Sequence, residues 1–184
     1  RKGVKFHDGT DFDAAVVKFA FDRILDPANS SPYRTFFKPV EQVVVINPGT
    51  VRVVLSQPWP GFFYQLLYVG GMGIPSPTAV KALGNAGFAR KPVGTGPFKF
   101  SDWASGDRIV LTKNTSYYRP KMPHLDRLEF KVIPDSTALT TSLRTGQLDL
   151  VRDIPTQLLP LLDKEPGLVP SVKNAYSFDW LALN

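Results

Sequence analysis

Pro92-Val93-Gly94-Thr95-Gly96-Pro97, running into Phe98-Lys99-Phe100-Ser101-Asp102-Trp103, decides how the chain is read. A glycine pair one residue apart invites a phosphate-loop reading. A dinucleotide fingerprint, however, needs a third glycine where Lys99 stands and a helix after the loop. The residues after Pro97 alternate as a strand instead, and no Walker pattern is present. The segment therefore reads as a turn feeding a strand, its glycines expected to supply unusual φ angles and Pro97 to stiffen it.

Around that turn the elements mix. Downstream, Ser105-Gly106-Asp107 turns into a strand over 108–112, and a third strand is expected over 125–133. Ser136 is a candidate cap for a helix over 137–145 that closes at Gly146. A short strand over 148–151, a helix from Pro155 to about Lys164 and a strand over 177–183 follow. Upstream, a strand at 3–6 and a turn at Asp8-Gly9-Thr10 precede a helix from Ala14 to Leu25, capped by Asp13 and ended by Asp26-Pro27. Residues 28–38 read as a loop. Strands at 41–46 and 50–55 flank Asn47-Pro48-Gly49 as a hairpin. Pro58-Trp59-Pro60 opens a helix through Leu67, the loop Gly70-Gly71-Met72-Gly73 follows, and a short helix is expected at 77–83. Strands and helices alternate irregularly, which predicts a mixed α/β (α+β) fold. The first residues read as a strand already under way, and the last as a strand cut off without a turn.

The composition excludes several classes. Seventeen prolines and fourteen glycines favour many turns over a long bundle. The absence of cysteine rules out a disulfide scaffold, a thiolate metal site and a cysteine nucleophile. Residues 1–92 carry 11 basic and 6 acidic side chains, against 11 and 10 in residues 93–184. The bases are scattered rather than gathered into a stripe with aromatics, so no nucleic-acid partner is expected. His7 and His124 each lie beside a turn without a second ligand at metal spacing, so both read as solvated and no metal or cofactor is expected. No Gly-x-Ser-x-Gly elbow occurs, and Asp102, Asp107, Asp135 and Asp149 form no pair that spacing would bring together. Asn29-Ser30-Ser31 and Asn114-Thr115-Ser116 match the glycosylation sequon, a pattern with many chance matches. Among the aromatics, Tyr33 sits in a Pro-containing loop, where a ring face and hydroxyl can meet a ligand or simply join the core.

Taken in order, these stretches resemble the family 5 extracytoplasmic solute-binding proteins, the peptide- and nickel-binding group. The resemblance is carried by residues 1–10, the helix 14–25 with Asp26-Pro27, the turn 92–98, Asp107 to Leu111, Asn114 to Tyr118, Leu125 to Leu128, Val132 to Asp135, and Leu143 to Asp149. It implies part of lobe I of a two-lobed clamp, lobe II being absent. Residues 1–79 would form an accessory subdomain and residues 80–184 the main α/β part, ending at the hinge. It implies capture rather than catalysis: a small solute, a di- or oligopeptide first among candidates, is held and passed to the membrane permease of an ABC importer. A monomer in the periplasm or at the extracytoplasmic face is expected. The ligand-contacting positions it implies are Tyr33, Gly70, Gly71, Met72 and Trp180. A nickel-binding relative carries an arginine near Gly70 that this sequence lacks. Two alternatives stand beside this reading: a mixed α/β hydrolase, which would need a carboxylate pair or a Ser/His pair converging in a cleft, and a folding fragment without activity of its own.

Overall fold

Asp13 begins the first helix by accepting a hydrogen bond from the Val16 backbone N–H at 3.1 Å, an N-cap that satisfies a donor the helix cannot. The helix, α1 (Ala14–Leu25), buries Ala14, Val16, Ala20, Phe21 and Ile24 along one stripe. That stripe meets an antiparallel hairpin, β1 (Val40–Asn47) and β2 (Thr50–Leu55), whose turn is held by Asn47 Oδ1 accepting from the Gly49 N–H. The shared core is Phe21, Ile24, Phe37, Val40 and Val43. The segment expected as a loop over 28–38 contains two short 3-10 turns, Pro27–Asn29 and Arg34–Phe37, and the second drives Phe37 into this core. The structure is a computed structural model that describes residues 1–68, 73–152 and 154–171. Two units are distinguished, Arg1–Lys131 and the part from Val132 onward.

In the first unit, α2 (Phe62–Tyr68) lays Phe62 and Leu66 on the same core. Helix α3 (Pro77–Arg90) starts at Ser76, whose Oγ accepts from the Ala79 N–H, with Pro77 at the first helical position. It runs past the expected end at 83. Gly84 takes φ 65° and ψ 176° and breaks the helix without ending it, a conformation open to glycine at little cost. Instead of a strand at 3–6, the described residues show a single bridge between Lys5 and Asp11. A second sheet is built in the order β3 (Phe98–Ala104), β4 (Arg108–Lys113), β5 (Arg127–Lys131). Strand β5 is shorter than the alternation over 125–133 suggested, because β4 offers it partners only from Arg108 to Thr112.

Residues opposite one another in a ladder share a face. Phe100, Leu111 and Leu128 therefore lie on one side with Trp103, Ile109 and Phe130, while Asp102, Val110 and Glu129 lie on the other. On the polar side Arg108 bridges Asp102 and Asp107, and Arg127 pairs with Glu129. The Arg127 guanidinium beside Glu129 holds that carboxyl below its ordinary pKa.

The second unit opens with α4 (Ser136–Arg144). Its cap is Asp135, not Ser136: Asp135 Oδ1 accepts from the Ala138 N–H at 2.7 Å. A carboxylate also suits the positive end of the helix dipole, and Ser136 is thereby drawn into the first turn. Gly146 at φ 71° closes the helix as expected. Residues 148–151 form no strand, and the helix expected from Pro155 is a 3-10 turn, Thr156–Leu158, followed by a single α turn, α5 (Leu159–Leu162). The strand expected at 177–183 lies outside the described residues.

Candidate functional site

Tyr33 stands at the start of the 3-10 turn Arg34–Phe37. Its N–H donates to Ser31 Oγ at 3.3 Å. The ring is half-buried against the Phe21–Phe37 core and lies 6.5 Å from the ring of Phe36, which is exposed. Beneath it, the buried ring of Phe37 meets Trp59 edge-on at 6.5 Å, Trp59 meets Phe62 at 5.6 Å, and Phe62 meets Phe63 at 5.4 Å. The same small core thus carries Tyr33 and Phe36 from one turn and the aromatic start of α2 from another. Part of the Tyr33 ring packs on the core and part faces solvent. Gly70, Gly71, Met72 and Trp180 lie outside the described residues.

The turn that opened the reading has a structural task. His7 N–H donates to Gly94 O at 2.9 Å, and the His7 ring spans the same turn, with Nε2 3.0 Å from Gly96 O and Nδ1 accepting from the Gly94 N–H at 3.4 Å. Asn114 Nδ2 donates to the same Gly96 O, and its backbone N–H donates to Pro97 O. His7 is therefore not the solvated turn residue expected; it is half-buried and tied to a segment nearly ninety residues away. Neither Gly94 nor Gly96 adopts a left-handed φ, and a Cβ on either would meet only ordinary contacts. The expectation of unusual φ there is corrected: the turn is held by its bonded neighbours, not by glycine torsions.

Asp8 and Ser76 complete the junction. Ser76 Oγ donates to Asp8 Oδ2 at 2.5 Å, and Thr10 donates to Asp8 Oδ1 through both its N–H and its hydroxyl. Burial alone would raise the Asp8 carboxyl, but the hydrogen bonds from Ser76 and Thr10 outweigh it and hold its pKa below the ordinary value. Sequence reasoning identified the Asp8–Thr10 turn but not Ser76 as its partner, since nothing local links positions 68 residues apart.

This arrangement holds chain segments together rather than activating a nucleophile. The hydroxyl of Ser76 is fully buried and spent on Asp8 and on capping α3, while both ring nitrogens of His7 are spent on backbone. No side-chain hydrogen bond joins the two, as a Ser/His pair would need. Asp102 and Asp107 both serve Arg108, and Asp135 caps a helix. Among the described residues no three His, Cys, Asp or Glu side chains cluster as metal ligands do. Asn114 of the second sequon is buried, its amide committed to the turn. In the second unit an open recess of about 620 Å³ is lined by Leu143, Leu150, Ile154, Leu159, Leu162 and Asp149 among others. Its lining is mixed, with Asp149, Thr156 and Ser171 beside the leucines.

The model of the bacterial extracellular solute-binding proteins, family 5 Middle, matches residues 1–184. The chain belongs to this family. Among family 5 relatives, the glutathione-binding protein GsiB of Escherichia coli (strain K12) is 34% identical over 181 residues, which are 96% of this chain and 35% of that protein. The ABC transporter-associated periplasmic binding protein DppA from Helicobacter pylori, solved with the peptide STSA, is similar with a TM-score of 0.79 and 30% identity over 92% of this chain and 37% of that one. NikZ from Campylobacter jejuni, solved with Ni(L-His), gives a TM-score of 0.79 and 29% identity over 90% of this chain and 33% of that one. The chain spans about a third of the length of the curated relatives it matches. The family 5 assignment agrees with the mixed α/β fold.

Proposed function

We propose that this chain supplies one wall of the binding cleft of an extracytoplasmic solute-binding protein, which captures a small solute and delivers it to an ABC permease. A di- or oligopeptide is the favoured cargo. The observation that carries this is the family 5 match over residues 1–184, alongside relatives named for binding glutathione and a peptide. The periplasm or the outer face of the membrane is the setting in which such a protein meets its cargo, and a monomer suffices for it. Residues 1–79 act as an accessory subdomain of the lobe and residues 80–184 as its main part. Tyr33, Gly70, Gly71, Met72 and Trp180 contact the ligand.

Mechanically, a cleft closes because the closed state gains contacts that the open state lacks. The wall proposed here needs to be rigid and need not be reactive. The buried Phe37 packed near Tyr33 and the hydrogen bonds between His7 and Gly94 support such a wall. The test is a thermal-shift screen of the natural polypeptide that carries this sequence, against di- to pentapeptides, histidine-chelated nickel and oligosaccharides. Stabilisation by peptides, and not by sugars or nickel chelates, is the expected result. Stabilisation by sugars alone would overturn the peptide assignment.

A further inference from the structure

The half-buried ring of His7 lies between two backbone groups of opposite kind. Gly96 O can only accept a hydrogen bond, so Nε2, 3.0 Å away, carries a proton. The Gly94 N–H can only donate, so Nδ1, 3.4 Å away, carries none. Which nitrogen of a histidine holds the proton is set by the bond the other makes; here both are set, and the structure holds a neutral ring in one tautomer. A proton added at Nδ1 would turn that acceptor into a donor facing another donor, and the bond from Gly94 would be lost. The bond belongs to a knot that joins residues 6–10, the start of α3, the turn 93–97 and Asn114. In that knot the Ser76 N–H donates to Val93 O at 3.0 Å, and the Asn114 N–H donates to Pro97 O at 2.8 Å.

We infer that His7 is an acid-sensitive clasp, whose protonation loosens the hold of residues 6–10 on the turn 93–97, between α3 and β3. The surroundings offer no carboxylate to take the new Nδ1 proton. On its own segment Asp8 follows His7, but that carboxylate is engaged by Ser76 and Thr10. Residues 93–97 carry no titratable side chain, with Lys91 and Lys99 beyond them. The start of α3 brings Ser76, which is neutral. Asn114 is neutral too, and its neighbour Lys113 is paired with Asp126. Among the described residues no carboxylate bonds the His7 ring. On protonation the folded chain gives up a hydrogen bond that the unfolded chain does not have. The clasp is therefore intact at high pH and is lost as pH falls, beginning near about 6.5, where an imidazole in water takes up its proton. Asp8, held below its ordinary pKa, stays ionised through that range. The loosening is local, because the core of α1 and the hairpin contains no residue of the turn. The inference holds whichever solute the protein carries.

The experiment is hydrogen–deuterium exchange with mass spectrometry on the natural polypeptide carrying this sequence, at pH 7.5, 6.5 and 5.5, with rates corrected for the intrinsic pH dependence of amide exchange. In the parent, fragments spanning residues 93–97 are expected to exchange about three- to tenfold faster at pH 5.5 than at pH 7.5, the scale of one backbone hydrogen bond. Fragments from α1 are expected to change by less than about twofold. His7→Gln keeps a polar side chain that takes up no proton in this range, and its corrected exchange over 93–97 is expected to be the same at all three pH values. Asp8→Asn is expected to keep the parent's response. If His7→Gln does not fold, the parent's contrast between the turn and α1 carries the test. Unchanged exchange over 93–97 in the parent overturns the inference, and so does an equal acceleration in His7→Gln. Loss of the response in Asp8→Asn would assign it to the carboxylate and overturn the clasp. Acceleration of α1 together with the turn would show general unfolding and overturn it as well.

Discussion

Replacing Ser76 with alanine probes the junction that fixes the N-terminal turn against α3. The hydroxyl has two roles at once: its oxygen accepts from the Ala79 N–H at 3.2 Å, and its proton goes to Asp8 Oδ2 at 2.5 Å. Loss of the cap costs about 1 kcal/mol. A hydrogen bond to a charged group contributes about 1.5–3 kcal/mol when buried; Asp8 is largely solvent-facing, and screening reduces this to about 1 kcal/mol. Ser76→Ala is therefore expected to destabilise by about 2 kcal/mol. Asp8→Ala removes the same bond and the two from Thr10. The diagnostic quantity is the coupling in a double-mutant cycle, expected near 1 kcal/mol because only the shared bond is counted twice. Urea unfolding at pH 7, followed by Trp fluorescence and circular dichroism, measures all four proteins. A coupling below about 0.3 kcal/mol, within the error of additivity, would refute the claim that Ser76 and Asp8 act as one unit.

Other predictions follow from the same geometry. The Asp8 carboxyl is held below its ordinary pKa in the folded protein, so its contribution is complete above about pH 5 and is lost as pH falls through the lowered folded value; the stability gap between the parent and Asp8→Asn, tracked by melting temperature from pH 7 to pH 2, should therefore narrow below about pH 4, and a gap that stays constant or widens contradicts this. Phe37, fully buried between Phe21 and Trp59, should cost about 3–5 kcal/mol as alanine in urea unfolding. Gly146, at φ 71° past the end of α4, should cost about 1 kcal/mol as alanine, measured the same way. Tyr33→Phe should leave stability within about 0.5 kcal/mol while weakening ligand binding through loss of the hydroxyl, whereas an unchanged affinity would return Tyr33 to the core alone.

The parts of the fold that were legible in sequence are those governed by neighbours in the chain. Helix α1 appeared with its cap and its end because Asp13, the apolar stripe and Asp26-Pro27 all lie within one local window. The hairpin around Asn47-Pro48-Gly49 appeared because β-branched runs flank turn residues. Most of the misses arise where a distant partner decides. Strand β5 stops where β4 stops pairing with it. Residues 148–151 have the composition of a strand but no strand partner among the described residues of their unit. Asp135 displaced Ser136 as the cap of α4 because both are competent and only geometry distinguishes them.

The site was legible to a lesser degree. Tyr33 emerged as a candidate from its loop, and the structure places it on a core shared with α2. His7 was read as a solvated turn residue; its partners Gly94 and Gly96 lie nearly ninety residues on, and nothing local to the Asp8-Gly9-Thr10 turn announces them.

The most direct test of the central claim is native mass spectrometry of the natural polypeptide purified without denaturation. Capture of small peptides predicts a bound series of peptide masses that disappears on unfolding and returns when a short peptide is added. A tightly held sugar or metal chelate in their place, or a protein that takes up no small solute under any loading, would contradict it.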